Sequence, residues 1–95
     1  MYRKRMLMVW DEPKRESNRA KHGLDFADAR DRFEWESAAI DRTTGGRRNQ
    51  RRFLAVGFLD GQLVALVFAL LGTQAISAIS LRPASRKERI RYDEA

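Results

Sequence analysis

Two short breaks, Asp60-Gly61 and Gly72-Thr73, divide the stretch from Arg51 to Arg82 into three apolar runs. This spacing constrains the fold more than any other feature of the chain. An Asp-Gly pair between apolar runs is a two-residue hairpin signal, because both central residues must take positive φ. Strands are therefore expected over Arg51–Leu59, Gln62–Leu71 and Gln74–Arg82, with Pro83 breaking the last one. Gln62–Leu71 is apolar on both faces, as a central strand would be. Three strands joined by tight turns give an antiparallel meander.

The residues before the meander read as a strand and two helices. Met6–Trp10 is a short apolar run that suits a strand. Asp11 is placed to cap a helix, Glu12 and Pro13 suit its first turn, and Gly23 its left-handed stop, with Leu24 behind it. Asp25 then caps a second helix, on which Phe26, Ala29 and Phe33 are spaced for one buried stripe. Ala38–Asp41 is a further strand, and Thr43–Asn49, with two glycines and no apolar residue, a loop. Ser85-Arg86-Lys87-Glu88 has the S-x-x-E capping-box pattern, so a final helix is expected from about Arg86 to the C-terminus. The fold class is α+β: one domain, 1–95, with two N-terminal helices packed on a twisted antiparallel sheet and a C-terminal helix.

Ninety-five residues support one modest core. The absence of cysteine excludes disulfides and thiolate zinc sites, and a single histidine argues against a multi-histidine metal site. No metal or other cofactor is expected. Met1–Arg5 is basic, but Met6–Trp10 is far too short for a signal-peptide core, and Leu63–Leu71 is too short to span a membrane. The expectation is a cytoplasmic chain with no membrane partner. Charge is uneven. Met1–Asp41 carries nine basic and nine acidic side chains, whereas Arg42–Ala95 carries ten basic and four acidic, so the whole net +6 lies in the second half. A basic half in a small domain points to a polyanion, most often nucleic acid, or to an acidic protein.

Several residues have both a chemical and a structural reading. Lys14, Asn18 and Lys21 fall at i, i+4 and i+7 and share a helix face. They are candidate phosphate contacts, with Asn18 bonding a base or a backbone group, or a solvated face with Asn18 bonded to a neighbouring loop. His22 is either a proton carrier near neutral pH or a cation favoured by the helix C-terminus. Arg47, Arg48 and Arg51 are candidate phosphate-binding charges, useful for general attraction of a polyanion. Arg52 shares strand parity with Leu54, Val56 and Phe58, which gives it a fixed position. Arg82 ends the last strand beside a rigid proline. Arg52 and Arg82 are the candidate charge stabilisers, since guanidinium groups bind phosphate oxygens bidentately. Arg86 and Arg89 lie on a cationic helix. Glu88 is a general base or, more cheaply, the capping-box acid. Tyr92 packs on the sheet, stacks a base or donates a proton. Trp10 reads as core.

Taken together, Trp10-Asp11, Lys14, Asn18, Lys21-His22-Gly23, Phe26, Ala29 and Phe33, with Arg52, Gly57, Ile79-Ser80, Arg82, Ala84, Glu88-Arg89 and Tyr92, resemble the BrnT family of bacterial toxins over nearly the whole chain. The resemblance implies a RelE-like fold and a ribonuclease that inhibits translation. It also implies a BrnA-type ribbon-helix-helix antitoxin, joined with the toxin in a 2:2 heterotetramer, and promoter DNA bound mainly through the antitoxin. Two cationic positions of that pattern differ here: Ser77 stands where the family has arginine, and Leu70 or Leu71 where it has a second basic residue. The expected chemistry is metal-free cleavage of RNA by its own 2′-hydroxyl. Arg52 and Arg82 would stabilise charge, His22 would act as acid or base, and Tyr92 would be an alternative proton donor. A catalytically weak antitoxin-binding co-repressor is the alternative.

Overall fold

A computed structural model describes residues 6–43 and 51–95. Its elements are β1 (Leu7–Val9), α1 (Glu12–His22), α2 (Phe26–Arg32), β2 (Ala39–Arg42), β3 (Arg52–Leu59), β4 (Gln62–Leu71), β5 (Ala75–Pro83) and α3 (Arg86–Glu94). The expected loop lies, beyond Thr43, outside the described residues, and so do Arg47 and Arg48.

The five strands form one sheet in the order β1-β5-β4-β3-β2. β4 is central, as its two-sided apolar character requires. Asp60 (φ 51°) and Gly61 (φ 80°) both take positive φ, and Leu59 pairs with Gln62 across the turn. The second connection is longer than expected: Leu71 pairs with Ala75, so Gly72, Thr73 and Gln74 form a three-residue turn with Gly72 at φ 62°.

Two further expectations need correction. The sheet is mixed, because β1 runs parallel to β5 while the other pairs are antiparallel. A parallel partner needs a long crossover, and the chain between β1 and β5 supplies one. Pro83 does not break β5; it is paired with Val64 as the last strand residue. The neighbouring residue of like parity, Leu81, aims its N–H and C=O away from β4, towards Asn18. Pro83 therefore turns its missing N–H to the open edge, where a sheet tolerates proline.

A bulge sets which side chains share a face. Val67 pairs with Ser80 but Phe68 pairs with Ala78, so Ile79 is an extra residue in β5. It reverses the alternation. Ile76 and Ala78 before it and Leu81 after it all enter the main core, with Phe26, Ala29 and Phe33 above them. Arg82 and Ser80 are left on the opposite face. There a smaller cluster of Val56, Leu63, Ala65 and Ala84 lies beneath Tyr92 of α3.

The helix termini follow local chemistry. Gly23 takes φ 70° and its N–H reaches Arg19 C=O; the Asp25 side chain accepts from Ala27 N–H; the capping box of α3 is complete. Asp11 occupies the N-cap position of α1, but its side chain makes no cap bond. Trp10 packs against the core, as expected of it, with the Arg15 and Arg30 guanidinium carbons 5.9 and 5.5 Å from its ring centre.

Gly57 sits directly under α2: a Cβ there would lie 3.0 Å from both Ala38 Cβ and Phe33 Cζ. Gly57→Ala is expected to destabilise the fold by about 1–3 kcal/mol through overpacking. Urea denaturation checks this; unchanged stability would mean that Phe33 is not seated against β3.

Candidate functional site

Cross-strand partners lie on the same face of a sheet. Arg52 pairs with Ala69, and Ala69 with Ser77; Arg82 pairs with Ala65, and Ala65 with Val56. Arg52 and Arg82 therefore emerge on one face, the face that carries α3. They stand at diagonal corners of it, two strands apart and four residues apart along β4. At roughly 3.3 Å per residue and 4.8 Å per strand, their Cα atoms are roughly 16 Å apart. Val67 lies midway. The structure places both charges on one surface without bringing the two guanidinium groups into contact.

Arg82 is tightly held. Its two terminal nitrogens donate to the two Glu88 oxygens at 2.7 and 2.8 Å. Glu88 Oε1 also accepts the Ser85 N–H at 2.8 Å, while Glu88 N–H donates to Ser85 Oγ at 3.1 Å. One carboxylate thus closes the capping box and clamps the arginine. The Arg82 guanidinium, aided by the Ser85 N–H and against the cost of burial, lowers the Glu88 carboxyl to about 2. A carboxylate held so far below its usual range is a weak base, and both its oxygens are engaged by Arg82 and Ser85, which favours the cap over the general base.

Nearby on α3, Tyr92 meets Phe58 edge-on at 5.7 Å between ring centres, and Arg91 donates to Asp41 at 2.9 Å. Arg86 and Arg89 are exposed on the same helix. Arg82, Tyr92, Arg86 and Arg89 are thus gathered at the α3 end of the face. Arg52 and the exposed Arg51 lie at the other end, at the start of β3.

The α1 residues form a separate group. Lys14 and Lys21 are exposed, and His22 is half-buried at the helix end. Asn18 is the one buried residue of α1. Its Nδ2 donates to Leu24 O (3.0 Å) and Leu81 O (2.9 Å), and its Oδ1 accepts the Leu81 N–H (3.0 Å). The amide acts as a neighbouring strand would, satisfying β5 beyond the reach of β1. Both Nδ2 hydrogens are used within the protein, so Asn18 is not placed to contact RNA. Its shared helix face with two lysines gave a polar stripe but not this docking role. Behind it, Asp25 receives two bonds from Arg15, at 2.7 and 2.9 Å, which lower its carboxyl to about 2.

Ser77 and Leu71, where the resemblance implies cations, bear on the same face. Ser77 is in the row of Arg52, across Ala69; Leu71 is 45% exposed and belongs to the next row. Leu7 and Val9, also exposed, pair with Ala75 and Ser77. The Arg52 end of the face is thus more apolar than the α3 end. Among the described residues no three His, Cys, Asp or Glu side chains group as metal ligands, and no helix is long and apolar enough to cross a membrane.

These features define a small basic α+β protein with a cation-bearing sheet face, suited to a polyanion. The chain belongs to the BrnT family: the model described as "Ribonuclease toxin, BrnT, of type II toxin-antitoxin system" matches residues 10–88. It is also similar to the Brucella abortus ribonuclease toxin BrnT, known from a 1.1 Å crystal structure. The two are 40% identical with a TM-score of 0.69, over 85% of this chain and 99% of that one. No curated protein matches the chain. Membership of a type II toxin–antitoxin family implies an antitoxin partner.

Asn18→Ala would strand the N–H and C=O of Leu81, and is expected to cost roughly 2–4 kcal/mol. Lys14→Ala, on the exposed side, should stay within about 0.5 kcal/mol. Equal, small shifts in thermal midpoint for both would contradict the docking role. A second expectation concerns acid. Asp25 and Glu88 have folded-state values below their unfolded ones, so their stabilisation is present in full above about pH 5 and is lost as pH falls towards about 2. Stability measured from pH 6 to 2 should fall with acid, less steeply in Asp25→Asn and Glu88→Gln. Parallel curves for all three proteins would contradict the ion-pair assignments.

Proposed function

We propose that this chain is an endoribonuclease toxin that cleaves RNA without a metal ion and inhibits translation in the cytoplasm. A BrnA-type ribbon-helix-helix antitoxin neutralises it, in a 2:2 heterotetramer that meets promoter DNA mainly through the antitoxin. The fold is read as RelE-like. The observation that carries the proposal is the placement of Arg52 and Arg82 on one sheet face in a member of a ribonuclease toxin family.

The chemistry uses the RNA as its own nucleophile. A base removes the 2′-hydroxyl proton, and the oxygen attacks the adjacent phosphorus. Guanidinium groups stabilise the charge that builds on the phosphoryl oxygens, and an acid returns a proton to the departing 5′-oxygen. The products are a 2′,3′-cyclic phosphate and a 5′-hydroxyl. In this scheme Arg52 and Arg82 stabilise charge, and His22, which stands with the separate α1 group, is the proposed acid or base. Tyr92, on the helix that also carries the Glu88 partner of Arg82, is the alternative donor. Lys14, Lys21, Arg47, Arg48, Arg51, Arg86 and Arg89 attract the phosphate backbone. Their pull should weaken steeply with salt.

A second reading has its own observation. Ser77 and Leu71 leave the Arg52 end of the face short of two cations and flanked by exposed Leu7 and Val9. Such a surface suits protein contact, and the chain would then serve as an antitoxin-binding co-repressor with weak or absent catalysis.

Arg52→Ala and Arg82→Ala, shown to be folded, are each expected to slow RNA cleavage by about 10²–10³-fold, the effect of removing one fixed donor to a transition state. Full activity in both would overturn the charge-stabiliser assignment. Expression of the chain alone separates the two readings: growth arrest with cleaved RNA supports the toxin, and neither effect, with tight antitoxin binding, supports the co-repressor.

A further inference from the structure

A bidentate carboxylate on a proposed phosphate-binding arginine is either an obstacle or a clamp. The geometry around Arg82 distinguishes them. Glu88 takes the end of the fork, the two terminal nitrogens. Among the described residues no group takes the Nε–H, and the Arg82 side chain is 34% exposed. The side edge, Nε–H with the second hydrogen of a terminal nitrogen, remains for another acceptor. A guanidinium carries five N–H donors in a rigid fork and can serve two anions at once.

The clamp is itself fixed. The Glu88 side chain is 15% exposed and is tied to Ser85 N–H, while Ser85 Oγ holds the Glu88 N–H. Swinging Glu88 aside would break the helix cap as well as the ion pair. Pro83, between Arg82 and the cap, limits the backbone further. The cluster has the construction of a positioning device: an outer acid, held by the start of α3, sets the direction of an inner base.

We propose that Glu88 is a positioning residue that holds Arg82 end-on, so that its Nε edge meets a non-bridging phosphate oxygen of the RNA. This rests on the reading of Arg82 as a charge stabiliser. Because Glu88 nearly cancels the charge of Arg82, it adds nothing to long-range attraction. Its effect is on the bound complex. Loss of the Glu88 charge therefore separates two quantities: RNA binding holds or tightens, while turnover falls.

Glu88→Gln tests this, because a glutamine oxygen still accepts the Ser85 N–H and keeps the start of α3. Single-turnover cleavage at saturating RNA should fall at least 10-fold, with RNA affinity equal to or tighter than that of the unaltered protein. In the unaltered protein, the Arg82 Nε–H resonance, assigned by its loss in Arg82→Lys, should shift on addition of an oligonucleotide with 2′-deoxy sugars, which cannot be cleaved. Glu88→Gln cleaving as fast as or faster than the unaltered protein would overturn the proposal and make Glu88 an obstacle. An Arg82 Nε–H signal unmoved by the bound oligonucleotide would overturn it without any variant. A shifted Nε–H in a protein that leaves RNA intact supports the Arg82 contact and overturns the cleavage reading instead.

Discussion

The carboxamide of Asn18 joins the two halves of the molecule. Beyond the three residues paired with β1, the outer edge of β5 has no strand beside it among the described residues. An N–H and C=O left bare there and buried would each carry a desolvation cost of about 1–3 kcal/mol. Asn18 supplies one acceptor and one donor to Leu81, and spends its second N–H on Leu24. One side chain thus docks α1, closes the turn after it and fixes the strand that carries Arg82. No hydrophobic side chain of α1 is buried to the same degree, so the helix depends on this polar contact more than on apolar burial.

The bulge at Ile79 completes the arrangement. It allows Ile76, Ala78 and Leu81 to share the main core while Arg82 turns to the α3 side. The sheet then separates two tasks. One face packs on aromatics from α2 and the following segment, including Phe33 against Trp35 at 4.8 Å and Trp35 against Phe68 at 5.5 Å. The other carries Arg52, Arg82 and a light helix with no buried side chain of its own. That helix is held by Tyr92 and by the Glu88 and Arg91 ion pairs, so charge governs both its attachment and its proposed work.

Local chemistry was legible in the sequence. Asp60-Gly61 fixed the hairpin, Gly23 the end of α1, Asp25 the start of α2, and Ser85 with Glu88 the start of α3. Each depends on residues close in the chain. What could not be read depends on distant partners. The parallel pairing of β1 and the use of Asn18 are decided by which edge β5 leaves open, 63 residues from Asn18 in the hydrogen bond to Leu81. The Arg82–Glu88 clamp was nearer to hand. A capping-box acid folds back over the residues before its helix, and those residues here follow directly on a strand-ending arginine. Parity placed Arg52 on its face, but for Arg82 the bulge breaks the simple alternation along β5.

The reaction proposed for this sheet face is cleavage of RNA by the substrate's own 2′-hydroxyl. The most direct test is the chemistry of the cut ends. Purified chain should cleave a single-stranded RNA in the presence of EDTA, leaving 2′,3′-cyclic phosphate and 5′-hydroxyl termini, and a 2′-deoxy substitution at a cleaved nucleotide should abolish that cut alone. Cleavage that requires a divalent cation, or that leaves 5′-phosphate and 3′-hydroxyl ends, would contradict this chemistry.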